Sequence, residues 1–391
     1  MNIAIFVDTY PPYINGVATS SYNLCQTLKD HGNNVIVVTA RFDAGKLEYK
    51  DGVLYMPGLE FKKLYGYRFT SFYSKTVMRY LKEFKVDLIH DQTDAPIGQF
   101  ARIAAKELKV PFVYTYHTSY EDYTYYVTHG VFDRAAKRVV RKYSIDNAKL
   151  ASGFITPSEK TKEYMRYAGS DAYISVIPTG IDFSLFAEDK IDIERTKKFK
   201  SEHHIDDDTK VFLILGRLAK EKSMDVSING VHEFHLKHPE IKIKLLIVGG
   251  GPARQELEYQ VNNLQMESYT DFIGPVNAKE VPFYYHLADI YTSASITETQ
   301  GLTFMEAMAS RVVVLARFDT NLTGTIIDGV TGYLFMDETG FVLKAYKILT
   351  MEKEQLNKMK EQALALVDKY SIDKFYSNIM EVYIRAIKKR W

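Results

Sequence analysis

Two glutamates eight positions apart, Glu298 and Glu306, stand on either side of Thr299-Gln300-Gly301-Leu302. The run Asp289-Ile290-Tyr291-Thr292 ahead of them reads as a short buried strand, and Leu302 to Ala309 is rich in good helix formers. This places Thr299, Gln300 and Gly301 at a helix N-terminus, where unpaired backbone N–H groups and the positive end of the helix dipole attract an anion such as a phosphate. Glu298 lies just ahead of that anion site, and Glu306, about a turn and a half inside the helix, can point back to it. Each carboxylate can accept hydrogen bonds from two adjacent hydroxyls, so the pair suits a nucleotide-sugar, whose ribose and hexose flank a diphosphate. Two solvated glutamates around an ordinary helix cap would show the same spacing, and the spacing alone leaves both readings open.

Other residues of chemical interest also sit where strands should end. After the strand-like run Val211 to Leu215 comes Gly216-Arg217-Leu218-Ala219-Lys220-Glu221-Lys222. An arginine fork with a lysine point charge five residues on can hold both phosphates of a diphosphate; a solvated basic loop is the plain alternative. His117 follows the run Val110 to Tyr116, and carboxyl ends of strands are where open α/β sheets bind ligands. Asn15-Gly16 forms a tight turn before a helical pattern from Val17 to His31, and a glycine there lets the backbone come close to a ligand. It is not the G-x-G-x-x-G fingerprint, so a nicotinamide dinucleotide is not indicated. Gly249-Gly250-Gly251 after Leu245 to Val248 reads as a structural turn first. His203-His204-Ile205-Asp206-Asp207-Asp208 precedes a strand and reads as a solvated loop rather than a metal site.

Such residues need a scaffold of strand ends. Apolar runs at Asn2 to Val7, Asn34 to Thr39, Val86 to His90 and Val110 to Tyr116 alternate with helical stretches near Ser71 to Glu83 and Pro96 to Leu108. That alternation predicts a parallel sheet with helices on both faces. The length of 391 residues suits two domains. We expect a first domain over 1–185, closed by Ile177-Pro178-Thr179-Gly180, a second over 186–370, and a final helix over 371–391. That helix carries Phe375, Ile379, Tyr383 and Ile387 at spacing four.

Composition removes several function classes. Hydrophobic content of 46% and charged content of 25% are those of a soluble globular protein. Neither a secretory leader nor an apolar run of membrane-spanning length is visible. One cysteine, Cys25, rules out an intrachain disulfide, fits a reducing cytosol and sits in the apolar pattern of the first helix as a small hydrophobe. Residues 1–185 carry 23 Lys and Arg against 19 Asp and Glu, a net +4, which is too small for nucleic acid without a recognisable motif. Two basic aromatic segments in that half, 65–85 and 131–150, have amphipathic patterns. Such helices can lie on an anionic bilayer, and can equally be outer helices of an α/β domain with apolar faces on the sheet.

Glu298 and Glu306 around Thr299-Gln300-Gly301-Leu302, together with Arg217 and Lys222, resemble the signature of a large family of retaining glycosyltransferases of the GT-B architecture. The resemblance runs from Gly16 to the final helix. It implies an α/β fold of two Rossmann-like domains facing across a cleft, with the C-terminal helix crossing back to the first domain. It further implies that Glu298 contacts the donor hexose and Glu306 the ribose, that Arg217 and Lys222 bind the diphosphate, and that Gly16 lies near it. Val276, after Phe272-Ile273-Gly274-Pro275, would have its backbone near the nucleobase, and His117 would contact the donor sugar. The run His117 to Tyr126 resembles more narrowly the bacterial 1,2-diacylglycerol 3-glucosyltransferases. This implies transfer of a hexose, α-glucosyl by expectation, from a UDP-sugar to diacylglycerol by a peripheral enzyme on the cytoplasmic face of the cell membrane. The UDP-sugar is a substrate; no cofactor is required by the sequence, and a divalent ion is left open. A glycosylated lipid, a soluble or polymer-bound glycan acceptor, a catalytically silent nucleotide-sugar-binding subunit and an epimerase of the same architecture are the competing readings. Glucose against galactose and the oligomeric state are not legible.

Overall fold

The computed structural model describes residues 1–13, 16–41, 45–61, 67–94, 96–117, 133–296, 301–322 and 324–389. The chain divides into two compact units, Met1–Gly180 with Ile372–Trp391, and Ile181–Ser371. The first contains β1 (Asn2–Phe6), β2 (Asn34–Arg41), β3 (Glu48–Lys50), β4 (Val53–Phe61), β5 (Tyr67–Thr70), β6 (Leu88–Asp91), β7 (Phe112–Thr115), β8 (Gly153–Thr156) and β9 (Ile174–Val176). These lie in the order β3-β4-β2-β1-β6-β7-β8-β9, with β5 paired to β4. From β4 to β9 along that path every pairing is parallel, whereas β3 and β5 run antiparallel to β4.

The apolar run of β1 is buried on both faces, as a central parallel strand must be. By the two-residue pleat, Ala4 and Phe6 enter one core with Ile36, Ile89 and Phe100, where the Phe6 and Phe100 rings meet edge to face at 5.7 Å. Ile3 and Ile5 enter the other, which is covered by Phe375, Ile379, Val382 and Tyr383 of the C-terminal helix Ile372–Lys388. Ile387 packs at the margin of that core.

The second unit is a six-stranded parallel sheet of β10 (Lys210–Leu215), β11 (Ile243–Val248), β12 (Thr270–Gly274), β13 (Ile290–Ser293), β14 (Val313–Arg317) and β15 (Tyr333–Phe335), in the order β12-β11-β10-β13-β14-β15. Phe212 and Ile214 face one core, Val211 and Leu213 the other. Strand order reverses beside β1, between β2 and β6, and beside β10, between β11 and β13. Such switch points open a crevice at the carboxyl ends of the strands. The segments that lead to Gly16 and to Arg217 leave the sheets there.

Two local expectations are revised. The stretch 65–85 is not one helix, because Tyr67–Thr70 is β5 and the helix Lys75–Glu83 begins only after Ser74, whose Oγ accepts from the Val77 N–H at 3.3 Å. Its apolar residues Val77, Met78 and Leu81 are buried in the sheet core. After the first unit's Gly180 the second unit contains the helix Ile193–Glu202, whose N-cap Asp192 accepts from the Arg195 N–H, and the Arg195 side chain lies 3.1 Å from Glu280. His203 is half-buried against Asp271 at 2.8 Å, and Asp206 and Asp208 face Lys242. No helix among the described residues is long and apolar enough to cross a membrane.

Candidate active site

At the end of β10 the backbone turns at Gly216 (φ +148°) and delivers Arg217. Lys222 closes a single 3-10 turn, Lys220–Lys222, ahead of the helix Met224–Lys237. Hydrogen bonds pin this loop to its neighbour: Gly216 N–H to the Val248 carbonyl, Leu218 N–H to Gly250 and Ala253 N–H to Leu218, each 3.0 Å. The two backbones pass so closely that a Cβ on Gly249 would lie 1.9 Å from the Gly216 oxygen, and one on Gly251 would lie 2.3 Å from the Leu218 oxygen. The triple glycine is therefore a packing device that fixes the loop bearing Arg217. Gly249→Ala should lower the stability of this unit by about 2–5 kcal/mol, through positive-φ strain (φ +138°) and overpacking. Denaturant unfolding checks this; an unchanged midpoint would mean the loops can part without loss.

The helix Leu302–Ala309 starts at Gly301, whose φ of +74° and a would-be Cβ 2.6 Å from Phe304 Cδ2 both demand glycine. Glu306 lies half-buried on this helix. The Tyr285 hydroxyl is 3.1 Å from Glu306 Oε2, to which it can donate, and 3.0 Å from the Thr303 carbonyl. Burial pushes the Glu306 carboxyl up to about 7, against a smaller opposing effect of the Tyr285 hydrogen bond. A ligand that brings hydroxyl donors would favour its ionised form. Leu302 is half-buried at the first helical position, and Val276, after β12, packs its side chain on the core, which leaves its backbone as the group able to meet a ligand. Glu298, Thr299 and Gln300 lie outside the described residues, as does 118–132 after His117.

In the first unit Gly16 is the first residue of the helix Gly16–Asp30, and no atom of another described residue lies within 4 Å of where its Cβ would be. His117 follows β7, with Nε2 2.6 Å from Gln92 Oε1. Burial lowers its pKa to about 4, so near neutral pH the ring is an uncharged hydrogen-bonding group. Cys25 is buried and burial raises its thiol pKa, which removes it from consideration as a nucleophile. Nearby, Asp94 accepts hydrogen bonds from Tyr114, Ser144 and Asn147, a network that ties the helix Asp133–Leu150 to β7.

Residues 14–185 match the family described as Glycosyltransferase Family 4, and residues 195–365 match Glycosyl transferases group 1. An alpha-monoglucosyldiacylglycerol synthase of Acholeplasma laidlawii is 30% identical over 394 aligned positions, covering 100% of this chain and 98% of the relative. The chain belongs to the GT-B glycosyltransferases. A second protein named alpha-monoglucosyldiacylglycerol synthase, from Streptococcus pneumoniae, is 33% identical over 99% of this chain and 86% of its own length. Anabaena HepE, solved in complex with UDP and glucose, shares the fold with a TM-score of 0.74 at 18% identity, over 97% of this glycosyltransferase and 98% of HepE. Both Rossmann-like units of the enzyme thus have counterparts in known transferases.

Tyr285 and Gln92 of this glycosyltransferase join the site only through the fold. Tyr285 stands 21 residues before Glu306, and Gln92 stands 25 before His117, so neither falls within a motif. The available signal was position: Gln92 directly follows β6, one of the strand ends at the switch point.

Proposed function

We propose that this glycosyltransferase moves an α-glucosyl group from UDP-glucose to the 3-hydroxyl of 1,2-diacylglycerol, with retention of configuration, while adsorbed to the anionic cytoplasmic face of a membrane. The observation that carries the reading is the pair of relatives named alpha-monoglucosyldiacylglycerol synthase, each aligned along essentially all of this chain. The UDP and glucose bound by HepE support a UDP-sugar donor. In this reading Arg217, Lys222 and the amides of Thr299 to Leu302 hold the diphosphate beside Gly16. Glu306 takes the ribose, Glu298 and His117 the hexose, and the backbone at Val276 the base. The acceptor oxygen attacks the anomeric carbon from the face the diphosphate leaves, its proton passes to a departing phosphate oxygen, and the fixed cations stabilise the charge that grows there.

Membrane adsorption is supported by the helix Asp133–Leu150, where Val139 is 69% exposed beside exposed Arg138 and Lys142, and by exposed Phe72 and Tyr73. At about 1 kcal/mol per basic residue, Arg138→Gln with Lys142→Gln should weaken partition onto anionic vesicles roughly 30-fold. Flotation measures this, and equal partition would move the docking face elsewhere.

The reading itself is tested by offering the purified protein UDP-glucose or UDP-galactose with diacylglycerol in mixed micelles, with and without anionic lipid. A monoglucosyl lipid stimulated by anionic lipid is expected. Product found only on a glycosylated lipid or a glycan would replace the acceptor, and product from UDP-galactose alone would replace the sugar.

A further inference from the structure

Behind His117 a chain of hydrogen bonds runs into the core of the first unit and ends on the C-terminal helix. Gln92 is buried, with Oε1 2.6 Å from His117 Nε2 and Nε2 2.8 Å from His90 Nε2. His90 is fully buried on β6, and its Nδ1 is 2.8 Å from the hydroxyl of Tyr383, itself fully buried. The Thr115 hydroxyl lies 2.7 Å from His90 Nε2. His90 and Tyr383 also meet ring edge to face at 5.5 Å.

The chemistry of these groups leaves few proton arrangements. Burial lowers the pKa of His90 to about 3 and that of His117 to about 4, so each ring is neutral, with one N–H and one lone pair. An amide has one donor end and one acceptor end. With the Gln92 oxygen on His117, that ring must carry its proton on Nε2. With the Gln92 nitrogen on His90, that ring must accept at Nε2 and carry its proton on Nδ1, which donates to Tyr383. Reversing the amide would reverse both tautomers together, and breaking the chain would leave a buried polar group without a partner. The Thr115 hydroxyl can donate or accept, so it serves either arrangement and does not choose between them.

We propose that Gln92, His90 and Tyr383 are positioning residues that lock His117 in its Nε2–H tautomer and present its Nδ1 lone pair to a hydroxyl of the donor sugar. This rests on the reading that His117 meets that sugar. Consistent with it, Nδ1 of His117 makes no hydrogen bond to any described residue. The last helix of the chain thereby sets the proton position on a ring at the opposite end of a hydrogen-bond chain spanning β6, β7 and that helix.

NMR of the full chain carrying 15N-histidine reads the tautomer directly, without turnover. The unaltered protein should show His117 protonated at Nε2 and bare at Nδ1. In Tyr383→Phe the His90 Nδ1–H loses its acceptor, so His90 should move its proton to Nε2 to reach Thr115, Gln92 should turn, and His117 should switch to the Nδ1–H form. The kcat should fall about tenfold, equivalent to about 1.4 kcal/mol, with the donor KM little changed. Gln92→Met, of similar size, should give His117 a mixture of tautomers and a similar loss of kcat. Gln92→Glu still accepts from Nε2–H and should keep the native tautomer. The same His117 tautomer in the unaltered protein, Tyr383→Phe and Gln92→Met would overturn the relay, as would a native Nδ1–H form. A His117→Ala protein with full turnover would overturn the sugar contact even if the tautomer responds to Tyr383→Phe, so the two failures are read apart.

Discussion

Lys222→Ala is expected to lower kcat by about 10² to 10³, the usual loss when one preorganised electrostatic contact to a developing negative charge is removed. The donor diphosphate already carries charge when bound and gains more as the glycosidic bond breaks. A cation fixed beside it therefore favours the transition state over the ground state, and its removal should act on kcat more than on donor affinity. The placement of Lys222 supports this weight. It stands on a 3-10 turn between β10 and the helix Met224–Lys237, and the adjoining loop is clamped by three backbone hydrogen bonds to the Val248–Ala253 segment. Lys222→Arg should recover only part of the loss, because a planar fork does not reproduce a point charge in a rigid turn. Steady-state and single-turnover rates separate chemistry from binding. Unchanged turnover in Lys222→Ala would show that the diphosphate lies elsewhere.

The second large effect concerns Glu306. If its carboxylate takes the ribose, Glu306→Gln removes a charge-assisted hydrogen bond worth about 1.5–3 kcal/mol and weakens donor binding by roughly 10- to 150-fold. With the carboxyl pushed up to about 7 in the free protein, donor binding should tighten as pH rises from 6 to 8 and release a proton as it does so. In the Gln variant both effects should vanish. Stability moves the opposite way. The folded carboxyl keeps its proton from its ordinary value near 4.5 up to about 7, where the unfolded chain has lost it, so this group lowers the free energy of unfolding as pH rises through that window. Calorimetric titration with UDP in two buffers of different ionisation enthalpy counts the protons. A flat pH profile in the unaltered protein would remove Glu306 from the donor site.

Much of the scaffold was legible because its determinants are local. Asn2 to Phe6 is apolar at every buried position, the helix Pro96–Leu108 has the bounds its pattern suggests, and the spacing of Phe375, Ile379 and Tyr383 marks the buried stripe of the last helix. The segment 65–85 misled because a helical spacing of aromatics is also met by a strand, a short loop and a nine-residue helix in succession. In the site, Gly216 and Gly301 sit where turn chemistry predicts them, since both need a positive φ. Partners such as Tyr285 for Glu306, or His90 and Tyr383 at a separation of 293 residues, exist only once the sheet has formed, and no spacing rule reaches them. Tyr383 in particular reads in sequence as one more apolar residue in its stripe, although its hydroxyl is what the fold uses.

The helix Ile372–Lys388 covers a core face made by Ile3, Ile5, Leu88 and Val113. During synthesis that face is complete roughly two hundred residues before its cover leaves the ribosome, and at about 5–20 residues per second the delay is some tens of seconds. Through that interval this side of the nascent first sheet has only part of its native cover, from Leu24, Cys25 and Leu28 of the helix Gly16–Asp30, while Ile181–Ser371 can already close on itself as an inserted body. Loss of the last few turns, by a premature stop codon or a C-terminal nick, would thus injure the part of the protein that was made first.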